Sequence, residues 1–255
     1  MIYWVNLLFA IFYLILFFKL APHVGLIDIP DNRKNHSGEI PLMGGPIIFL
    51  TLITTDFLFE FFPKNISLIV YLSSPLFVIS VLDDIKPRHW SIRLLIQLLL
   101  SVAIIYIADV KILSLGQLGQ VKDIQLGILA PIFTILCIVG LTNAINMFDG
   151  IDGFAGIYLL TGFSSFILFS GGLSIYTQTI VNFVLLISFF LVLNLSSSRF
   201  KIFLGDSGSM TIGFILGWHL IIFSQSNDLN FQPELVIWIA SFPIIDSLRV
   251  MFERH

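Results

Sequence analysis

The chain has 255 residues, of which 57% are hydrophobic and only 11% charged, with a formal net charge of −3. A soluble domain carries about 25% charged residues, so this composition excludes a water-soluble globular fold, and the near-neutral balance gives no reason to expect a nucleic-acid partner. The single cysteine, Cys137, sits inside an apolar run, which excludes a disulfide framework and a zinc–thiolate cluster and leaves a buried structural thiol.

Apolar windows close to the ~20 residues that cross hydrocarbon as a helix recur along the whole chain. They predict nine membrane-spanning helices, at about 2–20, 41–61, 66–82, 92–108, 126–145, 154–170, 176–195, 210–224 and 234–250. The first has no basic region before it and no small-residue cleavage site after it, which marks a retained helix rather than a signal peptide. The third and fourth are short, and Pro75 lies within the third. Without an internal repeat or a low-complexity linker, residues 1–255 form one domain. The expected fold class is an all-α polytopic membrane protein.

Numbering the loops alternately separates the basic residues. One set, with its flanking helix ends, holds Arg33, Lys34, Lys86, Arg88, Arg93, Arg199, Lys201, Arg249 and Arg254; the other holds Lys64, Lys111 and Lys122. Nine against three makes the first set cytoplasmic, with the N-terminus outside and the C-terminus inside. Asp28, Asp31, Asp83, Asp84, Asp149, Asp152, Asp206 and Asp246 fall on that same side. Acidic residues contribute little to orientation, so their clustering predicts a cytoplasmic-face site assembled from separate loops and helix ends.

Four stretches carry the chemistry. In "VLDDIKPRHWSIRLLIQ" (81–97), two adjacent carboxylates raise each other's pKa unless a cation sits between them. They fit a divalent metal, a base beside a ligand, or a cap for the following helix. In "NAINMFDGIDGFAG" (143–156), Asn143, Asn146, Asp149 and Asp152 recur at intervals of three. The two amides share a helix face, and the glycines turn the chain to bring both aspartates round. In "IFLGDSGSM" (202–210), Asp206 can bind a cation, and Ser207 and Ser209 can cap a helix whose N-terminus favours phosphate. In "DIPDNRKNHSGEIPLMGGP" (28–46), Arg33, Lys34 and His36 form a candidate anion clamp. Asp56 and Glu60 are expected to snorkel to the outer interface, and His219 to bond a neighbouring helix.

"RKNHSGEIPLMGG", "LDD" with Arg93 in "RLLIQ", "NAINMFDGIDGFAG", "FLGDSGS" and "PIIDSLRV" occur here in the order found in the polyprenyl-phosphate N-acetylhexosamine-1-phosphate transferases. The chain resembles that family over essentially its whole length, and within it the bacterial UDP-GlcNAc:undecaprenyl-phosphate GlcNAc-1-phosphate transferases. The resemblance implies a Mg2+-dependent transfer, with Mn2+ as a substitute ion, of a sugar-1-phosphate from a UDP-N-acetylhexosamine to undecaprenyl phosphate. It also implies that UMP is released, at the cytoplasmic membrane of a bacterium. It implies Asp83 as base or nucleophile with Asp84 beside it, and Asp206, with Asp149, on the metal. Asn146 and Asp152 would line the nucleotide-sugar pocket, with Asn194 and Phe203 near the nucleoside. It allows a homodimer, and leaves direct attack and a covalent Asp83 intermediate both open. Members of that branch continue into a histidine-rich loop and further helices, whereas this sequence stops at "MFERH", so a C-terminally incomplete domain is expected. The alternatives are a phospho-MurNAc-pentapeptide transferase, whose first loop is more lysine-rich, and an ion-coupled transporter, whose acids belong near the midplane. An intramembrane aspartyl protease needs Gly-x-Gly-Asp, and position 203 is Phe.

Overall fold

A computed structural model describes residues 2–29, 38–117, 123–169, 175–196, 200–226 and 231–253, apart from the side chain of Met251. Ten α-helices account for most of them: α1 (Ile2–Val24), α2 (Gly44–Phe59), α3 (Lys64–Leu72), α4 (Ser74–Ile85), α5 (Trp90–Ile107), α6 (Ala130–Phe148), α7 (Phe154–Phe169), α8 (Ile175–Asn194), α9 (Gly205–Gln225) and α10 (Pro233–Glu253). A two-residue antiparallel ribbon, β1 (Ile27–Asp28) with β2 (Ile40–Pro41), ties the end of α1 to the start of α2.

Six helical segments among the described residues are long and apolar enough to cross a membrane: Ile2–Val24, Lys64–Ile85, Trp90–Ile107, Gly127–Phe148, Ile175–Asn194 and Gly205–Gln225. The chain is a polytopic helical membrane protein. Nine spans were expected. The difference lies in α2 and α7, apolar but only 16 residues each, and in α10, which carries Glu234, Asp246, Arg249 and Glu253. The third expected span is longer than its sequence suggested. α3 and α4 follow each other across Ser73, whose N–H still reaches the Ile69 carbonyl, and Pro75 sits at the start of α4, where a missing N–H costs nothing.

α9 is the axis of the bundle. It packs against α6, α4, α2, α7, α10 and α3, and every residue from Ser207 to Ser224 is buried. A helix enclosed by protein can carry small and polar residues that a lipid-facing one cannot, which is why its hydropathy is the lowest of the six. It meets α2 backbone to backbone. A Cβ on Gly45 would lie 2.3 Å from the Gly208 backbone nitrogen, so the two backbones meet where no side chain fits. The same junction is held by Gly44 N–H and Gly45 N–H, which donate to the carbonyls of Phe203 and Leu204, each at 2.9 Å. The free donors at the start of α2 are thus satisfied by the residues just before α9.

A similar accounting fixes α10. Pro243 lacks the N–H that would bond to the Ile239 carbonyl. The Tyr158 hydroxyl, from α7, donates to that carbonyl at 2.8 Å, the kind of replacement a helix within a membrane requires. Phe242 packs on Phe148 and Phe154 beside it.

Three expectations about single residues are corrected. Asp56 does not snorkel: it is buried, and its Oδ1 accepts from the Phe62 N–H at 2.8 Å, securing the reversal from α2 into α3. Glu60 is exposed and closes α2 in the left-handed conformation, φ 47°. His219 bonds its own helix, through Nδ1 to the Ile215 carbonyl at 2.8 Å, and Phe163, Phe166 and Phe183 surround its ring. Cys137 is half-buried rather than enclosed.

Candidate active site

The C-terminal ends of α4, α6 and α8 and the N-terminal ends of α2, α5, α7 and α9 meet at one end of the bundle, beside the β1–β2 ribbon. Between them lies a pocket of about 800 Å3 lined by Asp28, Asp83, Asp84, Asn146, Asp149, Asp152, Asn194, Phe203 and Asp206, among others. Six of the eight aspartates grouped from the sequence line it. Asp246 instead pairs with Arg249 on α10, at 2.8 Å, and Asp31 lies outside the described residues. So do Arg33, Lys34 and His36; the anion clamp expected of them falls outside the described residues too.

The two adjacent aspartates of α4 have different tasks. Asp84 turns toward α9: Oδ1 accepts from the Asp206 N–H at 2.8 Å and Oδ2 from the Ser207 N–H at 3.0 Å. It is the cap of α9, supplied from another helix. The expectation that Ser207 or Ser209 caps α9 is therefore wrong, because Leu204 holds the cap position without a side-chain bond and Gly205–Ser209 already belong to the helix. At the end of α9 a carboxylate already takes the Asp206 and Ser207 N–H groups and complements the helix dipole. Gly205 is obligatory here, since its φ is +73° and a Cβ would lie 2.8 Å from Asp84 Oδ2.

Asp83 turns the other way. Its Oδ1 accepts from the Arg88 N–H, fixing the loop between α4 and α5. Its Oδ2 accepts from Arg93 Nη1 at 2.6 Å, and that same nitrogen contacts Asp206 Oδ2. Arg93 was absent from the candidate site residues, although position 93 marks the first turn of α5 and falls on the side of the chain where acids collect. A basic residue at a helix end looks like an orientation signal until its partners are known.

The second oxygen of Asp206 accepts from Asn146 Nδ2 at 2.8 Å, and Asn146 also donates to Ser209 Oγ at 2.9 Å. Asn143, one turn deeper on α6, does something else: it donates to Gln97 Oε1 at 2.7 Å and to the Val139 carbonyl at 2.8 Å, joining α6 to α5. Asp149 closes α6 and Gly153, at φ +74°, opens α7. Withdrawal from solvent pushes the Asp149 carboxyl well above the ordinary carboxylate value; Asp206 and Asp84 push it further, while the Gly205 N–H acts in the opposite sense. Asp152 pairs with Lys201, whose ammonium lies 5.5 Å from the centre of the Phe203 ring. Asn194 is buried and donates to the Ile202 carbonyl at 2.8 Å, while its Oδ1 has no protein partner among the described residues.

The helical bundle and the acidic pocket define a polytopic membrane protein with a polar, carboxylate-lined site at one end of its helices. The sequence pattern described as "Glycosyl transferase family 4" matches residues 66–224. The chain is 30% identical to the undecaprenyl-phosphate alpha-N-acetylglucosaminyl 1-phosphate transferase of Salmonella typhi, over 97% of this chain and 68% of that protein. With the protein of the same name from Escherichia coli K12 it shares 30% identity, over 94% of this chain and 67% of that one. With that from Haemophilus influenzae it shares 31%, over 98% and 72%. This chain belongs to glycosyl transferase family 4.

Proposed function

We propose that this protein transfers N-acetylglucosamine-1-phosphate from UDP-N-acetylglucosamine to undecaprenyl phosphate, releasing UMP, at the cytoplasmic face of a bacterial inner membrane. Three named relatives that align over nearly the whole chain carry that acceptor and that sugar phosphate in their names. The observation that carries the reading to this site is the convergence of Asp83, Asp84, Asp149 and Asp206 on one pocket at a helix-bundle end, with the Arg93 guanidinium bonded to two of them. Orientation rests on charge: Lys86, Arg88, Arg93 and Lys201 share that end with the pocket, which makes it cytoplasmic and puts the N-terminus outside. On this reading α2, α7 and α10 also span, giving nine crossings with α3 and α4 counted together.

The reaction brings two anions together. An oxygen of the lipid phosphate attacks the phosphorus that bears the sugar. A new P–O bond forms, the bond to the uridylate oxygen breaks, and UMP leaves with that electron pair. The second ionisation of a phosphate monoester lies near pH 6, so the acceptor needs no strong base. The protein's tasks are to position the phosphates and offset their charge. Asp83, held by the Arg88 N–H and Arg93, orients that guanidinium toward the phosphates. Asp84 positions Asp206 by gripping its backbone. The Asn194 Oδ1 can accept a base N–H near the Phe203 ring, and Asp152 and Lys201 border the same side.

Magnesium fits the donor set. Among the described residues no three carboxylate, imidazole or thiol side chains close on a common point. Mg2+ is commonly held by one or two carboxylates plus substrate phosphates and waters, not by an all-protein cage. The pocket is lined by six carboxylates, and Arg93 bridges two of them, Asp83 and Asp206. Asp206 and Asp149 would hold the ion, which would screen the diphosphate and stabilise charge developing on the leaving uridylate.

The test is release of UMP from UDP-N-acetylglucosamine by membranes containing the chain, with undecaprenyl phosphate added. Release is expected to need Mg2+ or Mn2+ and to vanish in Asp83→Asn and Asp206→Asn. Turnover that persists in excess EDTA overturns the metal role. A preference for another UDP-N-acetyl sugar over UDP-N-acetylglucosamine overturns the donor assignment.

A further inference from the structure

The site contains one contact that its proposed chemistry does not require as drawn. Arg93 Nη1 alone serves both Asp83 Oδ2, at 2.6 Å, and Asp206 Oδ2. A guanidinium has five N–H donors arranged to meet a carboxylate in parallel pairs. Here one nitrogen sits between two carboxylates from different helices, the position a small cation takes when two anions share it. Both oxygens of Asp206 are thereby occupied, Oδ2 by Arg93 and Oδ1 by Asn146.

We propose that Arg93 and a divalent cation compete for the Asp206 carboxylate. The guanidinium bridges Asp206 to Asp83 while the ion is away, and gives up Asp206 when the ion binds. The inference rests on the metal reading above. Each Asp206 oxygen already has a partner, so an ion arriving there meets two groups, and these differ. Asn146 is neutral, is anchored a second time on Ser209 Oγ, and its amide carbonyl oxygen is itself a suitable ligand. Arg93 carries a positive charge that the arriving ion repels, sits on the first turn of α5 and keeps 19% of its side chain exposed. The guanidinium is the partner that leaves. It retains Asp83 as a pivot, so its freed N–H groups stay at the pocket and can meet phosphate oxygens of the donor. Without the bridge, Asp83 and Asp206 would face each other uncompensated in the ion-free state, and α4 and α9 would lose a link at the pocket rim.

Linkage makes this measurable without turnover. If Arg93 opposes the ion, removing it tightens ion binding, and couplings of this kind commonly amount to about 5- to 150-fold. Mn2+ binding to the detergent-solubilised full chain, read by electron paramagnetic resonance without nucleotide, is expected to tighten about tenfold in Arg93→Ala. It should stay near wild type in Arg93→Lys, which keeps the charge, while UMP release falls in both. A merely structural Arg93 predicts the opposite sign, because a loosened Asp206 binds the ion less well. Weakened or unchanged affinity in Arg93→Ala overturns the competition. Should that variant not fold, Arg93→Gln, which keeps a hydrogen-bonding amide without the charge, gives the same comparison. The wild-type protein supplies an independent arm: the 15N signals of the Arg93 guanidinium, assigned by their loss in Arg93→Lys, should shift on adding Mg2+, and a signal that does not move overturns the proposal. A wild-type chain that binds no Mn2+ ends the magnesium reading itself, whereas one that binds Mn2+ with no tightening in Arg93→Ala ends only the role of Arg93.

Discussion

Asp84 and Asp206, 122 positions apart, are joined by a 2.8 Å hydrogen bond from the Asp206 backbone N–H to the Asp84 carboxylate. The bond runs to the backbone, so Asp84 controls where the Asp206 carboxylate points without sharing its charge. Replacing a helix cap by alanine costs about 0.5–2 kcal/mol, and a buried N–H left without a partner costs about 1–3 kcal/mol. Asp84→Ala is therefore expected to destabilise the protein by about 2 kcal/mol and to abolish UMP release. Asp84→Asn keeps one acceptor oxygen and should lose about half as much stability. Thermal unfolding in detergent measures both variants, and equal losses would argue against the cap.

The crossing of α2 and α9 permits a sharper steric comparison. A Cβ at Gly45 would approach Gly208 N to 2.3 Å and its Cα to 2.6 Å. Both are backbone atoms that cannot rotate away, so Gly45→Ala is expected to prevent accumulation of folded protein or to destabilise it by several kcal/mol. Gly140, on α6, has nothing within 4 Å of the same added carbon. Gly140→Ala should stabilise by about 0.5–1 kcal/mol through reduced backbone freedom in the unfolded chain. Expression and melting temperature of the pair distinguish a contact-specific effect from a general intolerance of glycine replacement.

These two cases mark what could be read in advance. Helix positions were legible because uninterrupted apolar windows leave few other structures in a membrane. The gathering of Asp83, Asp149 and Asp206 was legible because alternate loops return to the same end of a bundle. Less visible was which partner each aspartate takes. Asp83 and Asp84 are neighbours in sequence, but successive residues on a helix point about 100° apart, so one meets Arg93 and the other caps α9. Asn143 and Asn146 share a helix face in projection, yet they reach different neighbours, α5 and α9. Asp56 looked interfacial because a lone acid near a helix end has no visible partner. Its partner is a backbone N–H six residues later, and backbone donors leave no trace in composition.

The Asp149 carboxyl gives a pH dependence of definite sign. Its pKa in the folded protein is raised above the ordinary value of 3.8 by burial first, and then by the Asp206 and Asp84 carboxylates. The folded state therefore favours the protonated acid. This contribution to stability is complete below the ordinary carboxylate range and is lost as pH rises through the elevated value. In the absence of divalent ions, the melting temperature of wild type is expected to fall as pH rises above the ordinary value. Asp149→Asn, which mimics the neutral form, should flatten that fall and melt higher than wild type at neutral pH. Added Mg2+ should restore wild type at neutral pH and leave Asp149→Asn largely unchanged, because the ion offsets the charge that the asparagine lacks. If the two proteins follow the same pH curve without the ion, burial of the Asp149 charge does not limit stability. If Mg2+ raises the melting temperature of both equally, the ion is not held by Asp149.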